Sequence, residues 1–274
     1  MQRSGGAGHV PISLKIVHSP CHGLYCQDHW TKGKPGRYRQ AAIRPRESLQ
    51  LRYRSLHPSL QENAMTPTEF VTRLGKARAS AILRTDVPDV AIAAMEAAVR
   101  GGFTICEFTL TIPDALDVIR EFSQRYPDVV VGAGTVLEVD QAHQAVEAGA
   151  RFLVSPVVDE TVIKAANELN VAAMPGTHTA TEMLTAFRAG APLQKLFPAP
   201  GIGPDYVKAC LGPMPFLKLV PTHGVNLTNA RDWLAAGAYA IGFVAPLFDP
   251  ALVADRRFDE LERRARQLLQ SLDS

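Results

Sequence analysis

The chain has 274 residues, 46% hydrophobic and 20% charged, with a formal net charge of +2. This is the make-up of a globular protein large enough for one substantial core. Its longest apolar runs, such as 129–131 and 239–244, are strand-sized. They exclude a membrane-spanning helix, which needs about 20 such residues.

The near-neutral total hides an asymmetry. Residues 1–64 hold ten Lys/Arg against three Asp/Glu, whereas 65–274 hold 19 against 24, and five of the eight His fall in the first segment. That first segment lacks hydrophobic periodicity and is rich in Arg, Gly, Pro, Ser and His, so it buries too little apolar surface to offset the entropy of ordering. It reads as a disordered basic extension. Its Arg-rich, acid-poor character also fits an organellar transit peptide, and a nucleic-acid or surface-binding tail is a third reading. The stretch from Met65 to Phe70 has the form of a natural N-terminus running into a helix, which makes a start-site artefact the simplest account of what precedes it. The domain division expected is 1–64 and 65–274.

Cys21, Cys26, Cys106 and Cys210 form no regular framework. A reducing compartment, the cytoplasm unless the extension is an organellar address, is the simpler reading. Cys21, Cys26 and His29 could ligate a metal, but no fourth ligand stands at finger-like spacing.

From residue 79 onward, short β-branched runs alternate with amphipathic stretches. The strands expected are 79–84, 104–110, 129–135, 152–155, 171–175, 193–198, 216–221 and 239–244. Helices are expected over 87–100, 113–125, 138–147, 159–169 and 256–269. Strand centres recur roughly every 19 to 25 residues, which favours a closed α/β (β/α)8 TIM barrel over segregated all-β and all-α parts. A leucine-rich solenoid shares the period but not its Leu-x-Leu and asparagine signature. A doubly wound open sheet is the nearer rival, and eight evenly spaced strands favour the barrel. Gly101, Gly102, Gly149, Gly190 and Gly237 fall between helix and next strand, where left-handed caps belong. Pro88 and Pro113 fall near helix starts.

Charged residues break the apolar strand pattern, three of them most tellingly. Glu107 alternates with Cys106 and Phe108, Lys195 sits between Gln194 and Leu196, and Arg84 closes the first strand. If Cys106, Phe108 and Leu196 face the helices, Glu107 and Lys195 point into the barrel. Buried charges need partners, so these side chains should meet each other or a ligand. A structural Lys–Glu ion pair is the plainer alternative. Lys218 is a competing strand lysine, expected near the barrel bottom with its amine snorkelling to the rim. A lysine in a dry barrel loses proton affinity and can attack a ketone as the neutral amine, giving a Schiff base that acts as an electron sink. A neighbouring carboxyl can then carry the protons.

At these residues the chain resembles the 2-keto-3-deoxy-6-phosphogluconate (KDPG) and 4-hydroxy-2-oxoglutarate (KHG) class I aldolases. The matching runs are Cys106-Glu107-Phe108-Thr109-Leu110-Thr111, Gly132-Ala133-Gly134-Thr135-Val136, Val154-Ser155-Pro156, Met174-Pro175-Gly176-Thr177, Lys195-Leu196-Phe197-Pro198 and Val220-Pro221-Thr222. They occur in family order and span about residues 66–269. The resemblance implies that Lys195 forms the Schiff base and Glu107 is the general acid/base. It further implies that Arg84 lies near the substrate carboxylate, Thr135 and Thr177 line the pocket, and Phe197 packs on the substrate. Thr222, His223 and Gly224 complete the expected binding set. The implied partner is a small 2-keto acid rather than a nucleic acid or membrane. The implied assembly is a homotrimer that uses no metal or organic cofactor.

Some relatives carry an arginine at the place of Thr111; this chain belongs with those that keep one at the Arg84 place. Two departures bear on substrate choice. The family's Gly-Gly phosphate loop is His223-Gly224 here, and its later Gly-Ser pair is Val244-Ala245. Paired glycines let backbone N–H groups reach a phosphate, so its recognition should be reduced or reorganised. KDPG cleavage to pyruvate and glyceraldehyde 3-phosphate is the first expectation. Cleavage of 4-hydroxy-2-oxoglutarate or an unphosphorylated 2-keto-3-deoxy sugar acid follows, and a non-catalytic sugar-acid or partner-binding barrel is the rival of another class. Gly132-Ala133-Gly134 lacks the third glycine and acidic residue of a dinucleotide loop. His143 and Glu147, four apart, read as an exposed helix face rather than a metal pair. His178 is either a substrate contact or a solvated loop residue.

Overall fold

A computed structural model of the chain describes residues 65–273. The extension 1–64 lies outside the described residues, and with it every reading of that segment, including Cys21, Cys26 and His29 as ligands.

Helices and strands alternate up to the last strand, after which two helices follow. They are α1 (Pro67–Ala77), β1 (Ala79–Leu83), α2 (Pro88–Arg100), β2 (Ile105–Thr109), α3 (Ala115–Arg125), β3 (Val130–Gly134), α4 (Val139–Glu147) and β4 (Phe152–Ser155). There follow α5 (Glu160–Glu168), β5 (Ala172–Thr177), α6 (Ala180–Arg188), β6 (Gln194–Leu196), α7 (Asp205–Leu211), β7 (Leu219–Pro221), α8 (Ala230–Ala235), β8 (Ile241–Phe243), α9 (Pro250–Ala254) and α10 (Phe258–Asp273). From β1 to β7 each strand pairs in parallel with the next, and β1 also pairs with β8. A bridge from Thr222 to Gly242 joins the β7 end to β8. The sheet therefore closes into the (β/α)8 barrel that the strand spacing predicts, and the open doubly wound sheet is excluded.

The period-two alternation divides the core into two layers. Ala81, Leu83, Cys106, Phe108, Val131, Ala133, Leu153, Leu196, Leu219, Ile241 and Phe243 are buried between strands and helices. Ile105, Val130, Phe152, Val154, Ala172, Met174, Leu193, Val220 and Ala240 instead fill the lumen. The lower end of that lumen is stoppered by α1. Thr66 caps this helix in a reciprocal box with Glu69, and Pro67 opens it. Phe70 and Leu74, one turn apart, enter the lumen cluster, and the Phe70 ring stacks on Phe152 at 4.3 Å. The Tyr239 hydroxyl donates to the Val71 carbonyl at 2.9 Å and pins the helix to the β8 side.

Gly102, Gly149, Gly190 and Gly237 have positive φ between helix and strand, as their positions predict. Gly101 departs from that expectation. Its φ is −75°, and the constraint is space: a Cβ there would stand 2.3 Å from the Ala265 Cβ on α10. The seventh strand begins at Leu219 rather than 216, because the Lys218 N–H is taken by the Gln194 side chain at 3.1 Å and Phe216 packs on Phe187 outside the ladder.

Candidate active site

Barrel strands deliver the side chains of their C-terminal halves into the mouth opposite the α1 stopper. Glu107 on β2 pairs in register with Ile82 and Gly132, and Lys195 on β6 with Gly176 and Val220. Both take the inward phase, since their neighbours Cys106, Phe108 and Leu196 lie in the outer layer. As β2 and β6 are four places apart in an eight-strand ring, the two side chains come from opposite walls and converge in the lumen.

Glu107 is fully buried and Lys195 is 7% exposed. Neither carboxyl oxygen of Glu107 meets a hydrogen-bond partner in the protein. Desolvation pushes the Glu107 carboxyl above the usual carboxylate range, with the charges of Lys195 and Arg84 opposing. Desolvation likewise pushes the Lys195 amine below its ordinary value; Glu107 opposes this and Arg84 adds to it. The pair is thus held toward neutral acid and neutral amine, the forms from which nucleophilic attack and proton donation start. Neither Glu107 oxygen is in direct contact with the Lys195 amine, so the geometry is not that of the close structural ion pair that the sequence also allows. The ion pairs formed among the described residues tie exposed helical and loop side chains, from Arg100–Glu262 to Arg266–Glu262.

Space for Glu107 is made by glycine. A Cβ on Gly134 would stand 2.0 Å from Glu107 Oε1, and one on Gly132 would stand 2.4 Å from the Phe152 ring. These two glycines lie inside a strand and leave room in the lumen, which ends any dinucleotide-loop reading. On the opposite wall the Gly176 backbone lies against Pro156, where a Cβ would meet the Pro156 carbonyl oxygen at 2.2 Å.

The remaining site residues fall in three groups. Around the lysine, the Phe197 ring centroid lies 5.1 Å from Lys195 Nζ, half-buried at the mouth. Arg84, exposed at the end of β1, acts on both buried groups through its charge. At the rim, Thr135 turns the chain out of β3 with φ 59°, a costly conformation for a β-branched residue. Thr222 is buried, while His223 and Gly224 are exposed with φ 65° and 88°. The His223 ring meets Phe197 edge-on at 6.2 Å.

Thr177 is placed differently from the expectation that it lines the pocket. It registers with Leu196 on the outer phase, and its hydroxyl donates to the Lys195 carbonyl at 3.1 Å. It therefore steadies the lysine's backbone. Lys218 lies outside the site, its amine 5.9 Å from the Tyr239 ring, as its early strand position predicts. His143 and Glu147 are exposed on α4, and no metal-competent cluster occurs among the described residues. Sequence reasoning missed the space-making role of Gly134, although a glycine inside a strand signals a close approach. It also missed the Thr109–Thr111 hydroxyl pair at 2.8 Å.

A concavity of about 990 Å3 lies at the other end, beside α1 and the β3 and β4 starts. Its Arg73, Arg120 and Arg151 are balanced by Glu69, Asp128 and Glu147, and no buried ionisable pair faces it. The candidate site is therefore taken at the mouth, where the buried Lys195 and Glu107 side chains converge, and not at this hollow.

Fold and site together are those of a barrel enzyme of the aldolase type. The family model "KDPG and KHG aldolase" matches residues 71–263. The chain belongs to this family. It is 36% identical over 178 residues to the 2-dehydro-3-deoxy-phosphogluconate aldolase of Pseudomonas aeruginosa, covering 64% of this chain and 80% of that one. It is 36% identical over 170 residues to the KHG/KDPG aldolase of Escherichia coli K12, covering 58% and 80%. A solved "Native KDPGal structure" superposes with a TM-score of 0.67 at 29% identity, covering 71% of this chain and 94% of that one. Among the described residues, no helix is long and apolar enough to cross a membrane.

Proposed function

We propose that the chain cleaves 2-dehydro-3-deoxy-6-phosphogluconate to pyruvate and glyceraldehyde 3-phosphate through a Schiff base on Lys195. The observation that carries this reading is the convergence of a buried lysine and a buried, unpartnered carboxyl from opposite barrel walls. The names of the relatives supply the substrate class.

The neutral Lys195 amine attacks the C2 ketone. Glu107 gives a proton to the carbinolamine oxygen, and water leaves as the iminium forms. The Glu107 carboxylate then takes the C4 hydroxyl proton. The C3–C4 bond breaks, its electron pair moves into the iminium, and the aldehyde departs. Protonation of the enamine at C3 and addition of water at C2 release pyruvate and the free amine. Arg84 balances the substrate carboxylate, Phe197 packs beside the iminium, and Thr135 and Thr222 bound the carbon chain. The residues need neither a metal nor an organic cofactor for these steps.

His223, Gly224 and the Val244-Ala245 turn meet the distal end of the substrate. The Val244 carbonyl accepts from the Leu247 and Phe248 N–H groups, which fixes the course of this turn. One backbone glycine and no serine hydroxyl remain for a phosphate there, which supports 4-hydroxy-2-oxoglutarate as a second substrate. Comparing kcat/KM for phosphorylated and unphosphorylated sugar acids and for 4-hydroxy-2-oxoglutarate tests the assignment. Turnover of the phosphorylated substrate with only modest preference over the others is expected; turnover of none would refute the activity. The working assembly is a homotrimer, checked by light scattering in solution.

A further inference from the structure

We propose that His178 is a positioning residue for the Schiff-base lysine, acting as an imidazole clamp between the β5 and β6 ends. This rests on the assignment of Lys195 above. The strand ladder runs out where the clamp begins. The Phe197 N–H donates to the Thr177 carbonyl at 3.0 Å, the last main-chain tie between these strands. The next two donors on the β5 side, the His178 and Thr179 N–H groups, are both diverted to the Glu182 carboxylate at 2.8 Å. That diversion starts α6, whose capping box uses the same glutamate.

Beyond Phe197 the β6 chain keeps main-chain ties on the β7 side, where the Ala199 N–H donates to the Thr222 and His223 carbonyls, but toward β5 it is held by a side chain: His178 Nδ1 lies 3.0 Å from the Pro198 carbonyl oxygen. A carbonyl only accepts, so Nδ1 carries the proton and the tautomer is set. The histidine is itself fixed from a third element, because the Tyr206 hydroxyl on α7 donates to the His178 carbonyl at 2.7 Å and the two rings stack at 6.5 Å. Pro198 directly follows Phe197, whose ring lies beside Lys195 Nζ. The clamp therefore sets where Phe197 stands and, through it, the approach of substrate to the amine. Of these contacts the imidazole itself makes two, to the Pro198 carbonyl and to the Tyr206 ring, and a ring free in solvent would make neither.

The test compares wild type, His178→Ala and His178→Asn by the rate of pyruvate adduct formation on Lys195 under borohydride, alongside kcat, KM and melting temperature. Asparagine can place an amide N–H where Nδ1 stood. Loss of the clamp should slow adduct formation and kcat about tenfold with a smaller change in KM, since misplaced reacting groups cost rate rather than binding. Asparagine should return both to within about threefold of wild type, with melting temperatures alike. Equal adduct rates in wild type and His178→Ala would overturn the clamp alone, as would an asparagine variant as slow as alanine. A wild-type protein that forms no adduct would remove the Schiff-base assignment, and the clamp with it.

Discussion

The carboxyl of Glu107 lies where the side chain of residue 134 would begin: a Cβ on Gly134 would stand 2.0 Å from Glu107 Oε1. The two residues are on adjacent strands, and the absence of one side chain sets the position of the other. Gly134→Ala should therefore displace the carboxyl while leaving the barrel folded. Proton transfer depends on ångström-scale placement, so kcat should fall roughly a hundredfold. Steady-state kinetics with circular dichroism would check this, and unchanged kcat would mean that Glu107 is not the proton carrier.

Glu107 should cost stability while it serves chemistry. Its folded-state proton affinity is raised above the ordinary 4.5 by burial. Above that pH the unfolded chain loses the proton first, so the folded state binds more protons and stability declines with rising pH until the folded carboxyl also titrates. Glu107→Gln keeps the shape and never ionises. Its melting temperature should match wild type in acid and exceed it at neutral pH by several degrees, with activity lost. A variant less stable than wild type at neutral pH would contradict the raised proton affinity.

Lys195 should be usable as a nucleophile well below the ordinary lysine range. Burial depresses its proton affinity from 10.5, so the rate of pyruvate adduct formation should level off with rising pH before that value is reached. A rate still climbing through 10.5 would mark an ordinary solvated amine.

The α1 stopper should matter for folding and little for chemistry. Phe70 is fully buried against Phe152, so Phe70→Ala should lose about 3–5 kcal/mol by cavity formation. Denaturant titration would measure it, with kcat at low temperature within about threefold of wild type, because the mouth is at the other end.

Most of the barrel is legible in the sequence because alternation and helix-end punctuation are local signals. The strand at Phe152–Ser155 is read to the residue, and the Cys106-Glu107-Phe108 alternation suffices to turn Glu107 inward. What escapes is non-local. Phe70 and Leu74 show only an amphipathic helix, and nothing nearby says that it plugs a lumen built by residues 105 to 240. Thr177 has a binding-site context in sequence, yet strand phase commits its hydroxyl to the Lys195 carbonyl. Gly101 carries the composition of a left-handed cap, while its constraint comes from Ala265, far along the chain. His178 is ambiguous until the Pro198 carbonyl and Tyr206 are brought beside it.

Everything proposed for this barrel turns on Lys195 carrying the reaction covalently. Incubating the protein with pyruvate and borohydride, then locating the modified peptide by mass spectrometry, tests it most directly. One stable pyruvate-derived adduct, on Lys195, is expected. A folded protein that forms no adduct, or forms one on Lys218 while Lys195 stays unmodified, would contradict it.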